Sequence, residues 1–320
     1  MLYDRRGDLG FGFGELLDVA RVSRQSFYGS LAPSGREALR TGEEDVLALA
    51  REVRRDFLPG SSSRQVYNFI RRSEAHTGRL RGWGRDAFEA LCLKKGFRVE
   101  FRRYVPKTTQ RGDFVFPNLL EGLSITNINQ VWVSDICYVY GSEGKLLGYA
   151  TTLMDLYSRR LLGLSFSQTM HAAVTSQEVL RQAFIERCVE NISNVIFHSD
   201  AGKQYIEGHF LQLLRDKSIR SSMAENCYEN AFAEALNDTL KNHMLHDLNL
   251  NSHTQLKKHE KFIKKCYNEY KPHGGLKKMT PAQYEVHILA LQPDQRTKLL
   301  IRTLESGKTP KNQFENKKNS

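Results

Sequence analysis

The chain has 320 residues, 40% of them hydrophobic and 26% charged, which is typical of a globular protein with two or three domains. No apolar run reaches the roughly 18–20 residues that a membrane span needs, and the first residues lack the layout of a signal peptide. The five cysteines are scattered and never arranged as C-x-x-C, which predicts a reduced, cytoplasmic protein without structural zinc.

The net charge of +11 is unevenly distributed along the chain. Residues 1–120 contain 22 Lys and Arg against 15 Asp and Glu, residues 121–239 contain 9 against 14, and residues 240–320 contain 16 against 7. An acidic centre between two basic arms suits a protein that grips a polyanion and holds cations in the middle. Composition alone leaves open a solvated surface whose charge asymmetry arose by chance.

The first hundred residues are predicted to be helical and basic. A helix end at 15–20 and a short helix over 22–28, begun by a capping serine, predict a short helix-turn-helix. Apolar residues at helical spacing predict an amphipathic helix over 43–57, before the chain breaks at Pro59 and Gly60. Two further helices are predicted over 64–72 and 84–95.

A basic stretch with interleaved aromatic residues follows these helices, over residues 98–104. Arg98, Arg102 and Arg103 could lie on the phosphates of a nucleic acid while the neighbouring rings anchor the segment. The residues from 107 to 118 include prolines and a glycine, and they are predicted to form a linker.

From residue 130 the pattern changes from helical to extended. Runs rich in β-branched and aromatic residues predict strands over 131–140, 146–153 and 160–166. The apolar run 195–197 is typical of a buried parallel strand. This order of strands and helices predicts an α/β domain with a mixed sheet. Helices are predicted over 175–188, 207–217 and 229–244.

Three carboxylates lie at positions where a charged side chain is unexpected in a predicted apolar element or next to one. Asp135 lies in the middle of a predicted strand, where a buried carboxylate is costly unless it is paired or binds a cation. Asp200 follows the apolar strand and precedes a glycine turn, the position at which α/β folds place ligand groups. Glu234 lies on a largely apolar helix. Each alone also fits a structural role, as a paired strand residue, a turn cap or a solvated helix residue.

Taken together, the three carboxylates predict a site for divalent cations. Carboxylate oxygens suit Mg²⁺ or Mn²⁺, and two such ions about 3.5–4 Å apart can activate an attacking oxygen and stabilise a leaving one. Without metal the carboxylates would raise one another's pKa, which favours bound cations. Lys241, seven residues after Glu234, is predicted two turns along the same helix face, where it could reach a DNA phosphate or be a solvated lysine.

These residues lie in segments that resemble the second reading frame of the bacterial insertion-sequence transposases of the IS three family. The resemblance implies an RNase H-like core of the retroviral-integrase kind, in which Asp135, Asp200 and Glu234 form a DDE triad that holds two Mg²⁺ or Mn²⁺ ions. Lys241 is then the basic residue that usually follows the glutamate. The matching segments are NQVWVSDI (129–136), LMDLYSRR (153–160), HSD (198–200) with Gly202, Gln204 and Tyr205, NCYENA (226–231), YNEYKPH (267–273) and TPAQY (280–284).

The resemblance also implies an activity and partners. Water nicks DNA at an element end, and the freed 3′-hydroxyl then attacks target DNA without a covalent protein–DNA intermediate. The implied partners are element ends with inverted repeats, target DNA and further copies of the chain on DNA, with no membrane. The chain is expected to act at the nucleoid in the bacterial cytoplasm. The resemblance also implies that it can be fused by frameshifting to an upstream frame that encodes a helix-turn-helix. Lys203 is a further candidate DNA contact, and the candidates to support the metal ligands are His198, Gln204 and Asn230.

The chain departs from the family at two places. The segment between Met223 and Asn226 is about two residues shorter than usual, so that thirty-three residues separate Asp200 from Glu234, and the shortening is expected to tilt the helix that carries the glutamate. Ser134 stands where the family often has a threonine before the first aspartate.

Other functions remain open on sequence alone. Arg21-Val22-Ser23 is similar to the nucleophile motif of serine recombinases, although here the serine follows a helix. The H-x-x-R at 76–79 hints at a tyrosine recombinase but lies near the wrong end of the chain. A catalytically inactive, transposase-derived DNA-binding protein and a junction resolvase of the same fold are the remaining alternatives.

The predicted fold class is α/β, an RNase H-like mixed sheet with flanking helices joined to a basic helical region with helix-turn-helix-like elements. Three regions are expected: a DNA-binding region over 1–118, the catalytic core over 119–245, and a basic helical extension with its tail over 246–320. Trp132 is expected in the core, and Asp155 either caps a strand end or supports the metal site.

Overall fold

The computed structural model of the chain divides into two units, residues 1–53 with 63–98 and residues 54–62 with 99–320. The short helix-turn-helix predicted at 15–28 lies almost entirely outside the described residues, and so do Arg102 and Arg103. The region boundaries at 118 and 245 stay a prediction. The structure describes residues 17–18, 21, 40–99, 116–141, 144–188, 194–224 and 230–301.

The first unit is built from helices whose apolar faces pack together. Helix α1 (Glu43–Asp56) buries Val46, Ala50 and Val53 at the three- and four-residue spacing of one helix face. Helices α2 (Ser63–Arg72), α3 (Glu74–Thr77) and α4 (Arg85–Lys94) follow. The three longer helices begin and end within one residue of their predicted bounds, because each carries an amphipathic pattern that periodicity detects.

The second unit contains a five-stranded mixed sheet. A separate antiparallel pair is formed by β1 (Ser124–Ile125) and β7 (Leu299–Leu300). In the main sheet β2, β3 and β4 are antiparallel neighbours, whereas β5 and β6 run parallel to β2, in the order β4-β3-β2-β5-β6. This confirms the predicted RNase H-like mixed sheet. Its strands are β2 (Val131–Tyr140), β3 (Leu146–Asp155), β4 (Leu161–Ser167), β5 (Ile196–Ser199) and β6 (Arg220–Met223).

Helices cover both faces of this sheet, and side chains of β2 alternate between two hydrophobic clusters. Trp132 is 0% exposed, as predicted for the core, and packs with apolar residues of the helices over 176–187 and 208–216. Val131 and Val133 belong to the cluster on the other face, whose buried members range from Leu120 to Ile288. No helix in the described part of the chain is long and apolar enough to cross a membrane. The helices are α5 (Ser176–Arg187), α6 (Gly208–Asp216), α7 (Ala231–Asp238), α8 (His253–Lys258), α9 (Glu260–Lys265) and α10 (Pro281–Leu289).

A buried ionic cluster joins the end of β3 to the last helix. The Asp155 carboxylate accepts hydrogen bonds from the backbone N–H groups of Asn129, at 2.6 Å, and Ser158, at 3.0 Å, so it caps the strand end. Arg187 lies 3.7 Å from Asp155 and also forms a salt bridge with Glu285 of α10. Burial raises the pKa of Asp155, and the charge of Arg187 opposes that rise. Arg187 therefore compensates Asp155 and shares Glu285 with Arg160, which lies 3.4 Å from that carboxylate.

Replacing this arginine tests the cluster. We expect Arg187→Ala to lower the free energy of unfolding by about 3–5 kcal/mol, because it leaves Asp155 buried without its cation and Glu285 with Arg160 alone. Urea denaturation measures the change. Arg181→Ala on the same helix is the control, since its ion pair with Glu178 is exposed and contributes about 1 kcal/mol or less. Equal losses in the two variants would contradict the assignment.

Candidate active site

Asp135 occupies the centre of β2, opposite Thr152 of β3. Its carboxylate accepts a 2.7 Å hydrogen bond from the Asn237 side-chain amide. Burial, followed by repulsion from Asp200 and with a smaller contribution from Glu234, raises the pKa of Asp135 to about 7, although hydrogen bonds from Ile136 and Asn237 oppose the rise. The three carboxylates therefore lie close enough for their charges to interact.

Asp200 is the first residue after β5, whose parallel register pairs Val133 with His198. Two residues further along both strands, Asp135 and Asp200 stand at the same level of the sheet. The backbone N–H of Gly202 donates to Asp200 Oδ1 at 3.1 Å. A Cβ at Gly202 would lie 2.5 Å from the Gln204 amide nitrogen and 2.9 Å from Asp200 Oδ1, so a side chain there would displace the carboxylate.

Glu234 lies in the first turn of α7 and is exposed. Burial raises its pKa, and the nearby charge of Lys241 lowers it. The sequence predicted one continuous α-helix over 229–244, but from Thr239 to Leu245 the structure has π-helical hydrogen bonds. The charge of Lys241 still acts on Glu234. The predicted alignment of Lys241 with Glu234 on one helix face stays a prediction.

Two asparagines of this helix contact β2, at the helix N-terminus and one turn beyond the glutamate. Asn230 donates to the backbone oxygen of Ser134 at 3.3 Å, and Asn237 donates to the carboxylate of Asp135. Thr152 contacts the Asn237 side-chain oxygen at 3.4 Å. The sequence analysis missed Asn237, although its spacing of three residues from Glu234 places it on the same helix face.

A buried hydrogen-bond network lies beneath the first aspartate. Ser134 Oγ donates to the Thr152 backbone oxygen at 2.7 Å and lies 2.9 Å from the Tyr205 hydroxyl. His198, a candidate to support the metal ligands, bonds through Nδ1 to Ser222 Oγ at 2.9 Å. Tyr205 was not predicted as a site residue. Its hydroxyl contacts Ser134, the residue before Asp135. In the sequence it is only an aromatic residue that follows a glycine turn.

The basic side chains proposed for DNA contact fall into different parts of the molecule. Lys203 is exposed in the turn that follows Asp200, and Lys241 is partly buried near Glu234. Arg98 is exposed and belongs to the first unit. The shortened loop at 223–226 lies partly outside the described residues, so the expected tilt of α7 stays a prediction.

The donor set fits hard divalent cations, which carboxylate oxygens bind preferentially. Within the described ranges, no three His, Cys, Asp or Glu side chains are arranged so that they could hold one metal ion together. Mg²⁺ usually takes one or two carboxylates and completes its shell with waters and substrate phosphates. The arrangement therefore fits ions shared with a phosphate-bearing substrate better than a closed protein cage.

Comparison with known proteins gives related sequences over this unit. Models of the integrase core domain match residues 126–227 and 218–281. The transposase for insertion sequence element IS904 of Lactococcus lactis is 29% identical over 197 residues, 60% of this chain and 74% of that protein. The putative transposase InsK for IS150 of Escherichia coli is 27% identical over 198 residues, 61% of this chain and 67% of that protein.

Among solved structures, the catalytic core domain of the HTLV-2 integrase in complex with magnesium is similar to this chain. It is 16% identical with a TM-score of 0.37, over 52% of this chain and 99% of that one. An intasome of simian T-cell lymphotropic virus has 14% identity and a TM-score of 0.38, over 70% of this chain and 74% of that one.

The charge of Asp135 should destabilise the metal-free protein. Its folded pKa of about 7 exceeds the ordinary 3.8, so stability is lost as the pH rises through that interval. We expect Asp135→Asn to raise the free energy of unfolding at pH 8 in EDTA by about 1–3 kcal/mol, discounted for partial exposure, because the neutral amide can still accept from Asn237. Thermal unfolding between pH 4 and pH 8 measures it.

The control is Asp238→Asn, which changes an exposed aspartate at the end of α7. This variant should follow the wild-type stability at every pH. An Asp135→Asn protein that is less stable than wild type at pH 8 in EDTA would show that the carboxylate is compensated and that no electrostatic penalty exists at the site.

Proposed function

We propose that this chain, which carries an integrase core domain and is similar to insertion-sequence transposases, cuts and joins DNA strands at the ends of an insertion sequence. The related proteins confirm the resemblance to transposases of the IS three family. That resemblance supports transposition and DNA integration as the broader activity. Metal-dependent cleavage and strand transfer are the specific steps proposed for this chain.

One observation supports the chemistry most directly. Asp135 in mid-strand and Asp200 at the end of the neighbouring parallel strand stand level with each other, and Glu234 on α7 adds to the repulsion on Asp135. Three carboxylates that repel one another destabilise the metal-free fold, and a bound cation would remove that repulsion. We propose Asp135, Asp200 and Glu234 as the catalytic triad.

The proposed ligands are these three carboxylates, and the proposed ions are two Mg²⁺ or Mn²⁺. When bound, such ions supply activation of the attacking oxygen and stabilisation of the leaving oxygen in an in-line phosphoryl transfer. Asn237 holds the Asp135 carboxylate by its 2.7 Å hydrogen bond, and the Gly202 N–H orients Asp200.

Two lysines are proposed to contact the DNA backbone beside the carboxylates. Lys241 lies near Glu234 and Lys203 is exposed next to Asp200, so a phosphate positioned over the carboxylates has a lysine on either side. The same arrangement serves both steps, since hydrolysis and strand transfer are in-line displacements at phosphorus that differ in the attacking hydroxyl. Arg98 is proposed as a DNA contact of the first unit.

The proposed partners are DNA ends with inverted repeats, target DNA and further copies of the chain on that DNA. Fusion to an upstream helix-turn-helix frame by frameshifting is part of the same proposal. The competing function is a transposase-derived protein that binds DNA without cutting it, and one observation favours it: the described residues contain no preformed group of three metal ligands.

Nicking of labelled duplex ends separates these two functions. With Mg²⁺ present, wild type should nick and then join strands, whereas Asp200→Asn should bind the same DNA and nick at least about 10²–10³-fold more slowly, because a ligand for the ion is lost. Gel analysis of nicked and joined products measures both steps.

Asp216→Asn is the matched control, since it neutralises an exposed aspartate that follows the same strand-to-helix segment. It should nick as fast as wild type. Equal, Mg²⁺-independent behaviour of wild type and Asp200→Asn would reject catalysis and support the binding function. Nicking without joined products would instead support a resolvase-like nuclease.

A further inference from the structure

A second charged site lies away from the carboxylates, at the turn that joins β3 to β4. Arg159 in this turn has a left-handed backbone conformation, with φ of 59°. Its guanidinium carbon stands 3.9 Å from the ring centroid of Phe232 in α7. A non-glycine residue in that conformation needs support from its surroundings, and here the stacking on Phe232 fixes the guanidinium in place.

Two more basic side chains approach this arginine from the segment after α9. Lys271 and His273 follow the π-helical residues Cys266–Tyr270. The His273 ring packs edge-on against Tyr267, with centroids 4.7 Å apart, and its backbone N–H donates to the Met279 oxygen at 3.0 Å. The segment is therefore held by its own backbone contacts, independently of any charge. We call Arg159, Lys271 and His273 the cationic cluster.

The charges of Arg159 and Lys271 act on His273. Burial, then Lys271 and Arg159, lower the pKa of His273 to about 4, which requires the three groups to be close. Burial also lowers the pKa of Lys271, and it lowers that of Arg159 to about 10. Burial is the largest cause of each shift, and the Asp155 carboxylate opposes the shift of Arg159.

In the cationic cluster, Arg159 and Lys271 lack the close ion pairs that other half-buried cations of this unit form. Arg160, Arg187 and Lys264 each lie within 4 Å of a carboxylate. Among the described residues, neither Arg159 nor Lys271 has such an ion pair, and the buried Nε2 of His273 has no hydrogen-bond partner. A partly buried cation without a close counter-ion is unfavourable, so an anion from outside would stabilise a site of this kind.

We propose that Arg159, Lys271 and His273 bind a phosphate group of the DNA backbone. A guanidinium stacked on a ring presents its N–H groups in the fixed fork that suits phosphate oxygens, and an ammonium adds a point charge. The same ring belongs to α7, two residues before Glu234, so a phosphate bound here lies on the element that carries a proposed metal ligand. Taking the phosphate to be that of DNA rests on the proposed function.

The first experiment uses inorganic phosphate in EDTA, so that no catalytic metal takes part. Millimolar phosphate should raise the Tm of wild type by roughly 2–5 °C and leave that of Lys271→Gln almost unchanged, because the variant loses one cation of the site. Lys271→Arg, which keeps the charge, should retain the shift. Lys217→Gln is the matched control, since it neutralises an exposed lysine elsewhere.

Folding of the variant is checked in the same measurement. Without phosphate, Lys271→Gln should unfold at the wild-type temperature or above it, because a poorly compensated buried charge is removed. Equal phosphate shifts in wild type, Lys217→Gln and Lys271→Gln would overturn the site. A lower Tm of Lys271→Gln without phosphate would also count against it, since the lysine would then have an internal partner.

The second experiment tests the assignment to DNA. Binding of a labelled duplex in EDTA is measured against salt concentration, and the slope of log K against log salt should fall by about 1 for Lys271→Gln relative to Lys217→Gln. Equal slopes would reject DNA as the occupant. Asp135→Asn should keep both the phosphate shift and the slope. A wild-type protein that binds phosphate here but never nicks DNA in Mg²⁺ would reject the proposed catalysis and leave the phosphate site standing.

Discussion

The parallel pairing of β2 with β5 is the contact on which the candidate active site depends. Asp135 and Asp200 are distant in sequence, and only the register that sets Val133 beside His198 brings them level. Apolar residues of both strands, among them Val133 and Phe197, are buried in the clusters on the two faces of the sheet, so the hydrophobic effect that drives pairing also brings the charges together. Burial and mutual repulsion are consequences of that register rather than separate features.

Helix α7 extends the same constraint to the third carboxylate. Ala233 and Leu236 anchor it in the hydrophobic cluster, while Asn230 and Asn237 bind β2 on either side of Glu234. Glu234 itself remains exposed, so the helix is fixed by its neighbours and the glutamate is left to change its contacts. Rigid support around an adaptable ligand suits a site in which substrate phosphates complete the coordination of the ions.

The sequence predicted those parts of the fold that have a local pattern. The bounds of β2 were correct because β-branched and aromatic residues fill it, and α5 was placed within one residue at each end. Strand β6 was missed, since Arg220–Met223 contains two serines and gains its strand character from pairing with β5. The Asp155–Arg187–Glu285 cluster joins residues over a hundred positions apart, a relation that no single-sequence pattern shows.

The hydrophobic cluster that runs from Leu120 to Ile288 has a consequence for biosynthesis. All three carboxylates have been translated by residue 234, yet apolar side chains from α8 to α10 that complete one face of the sheet come tens of residues later. A ribosome that terminates between those points releases a polypeptide with its acidic groups present and its scaffold unfinished. Nonsense mutations between the codons for residues 235 and 284 are therefore expected to yield unstable products, because part of this cluster is missing.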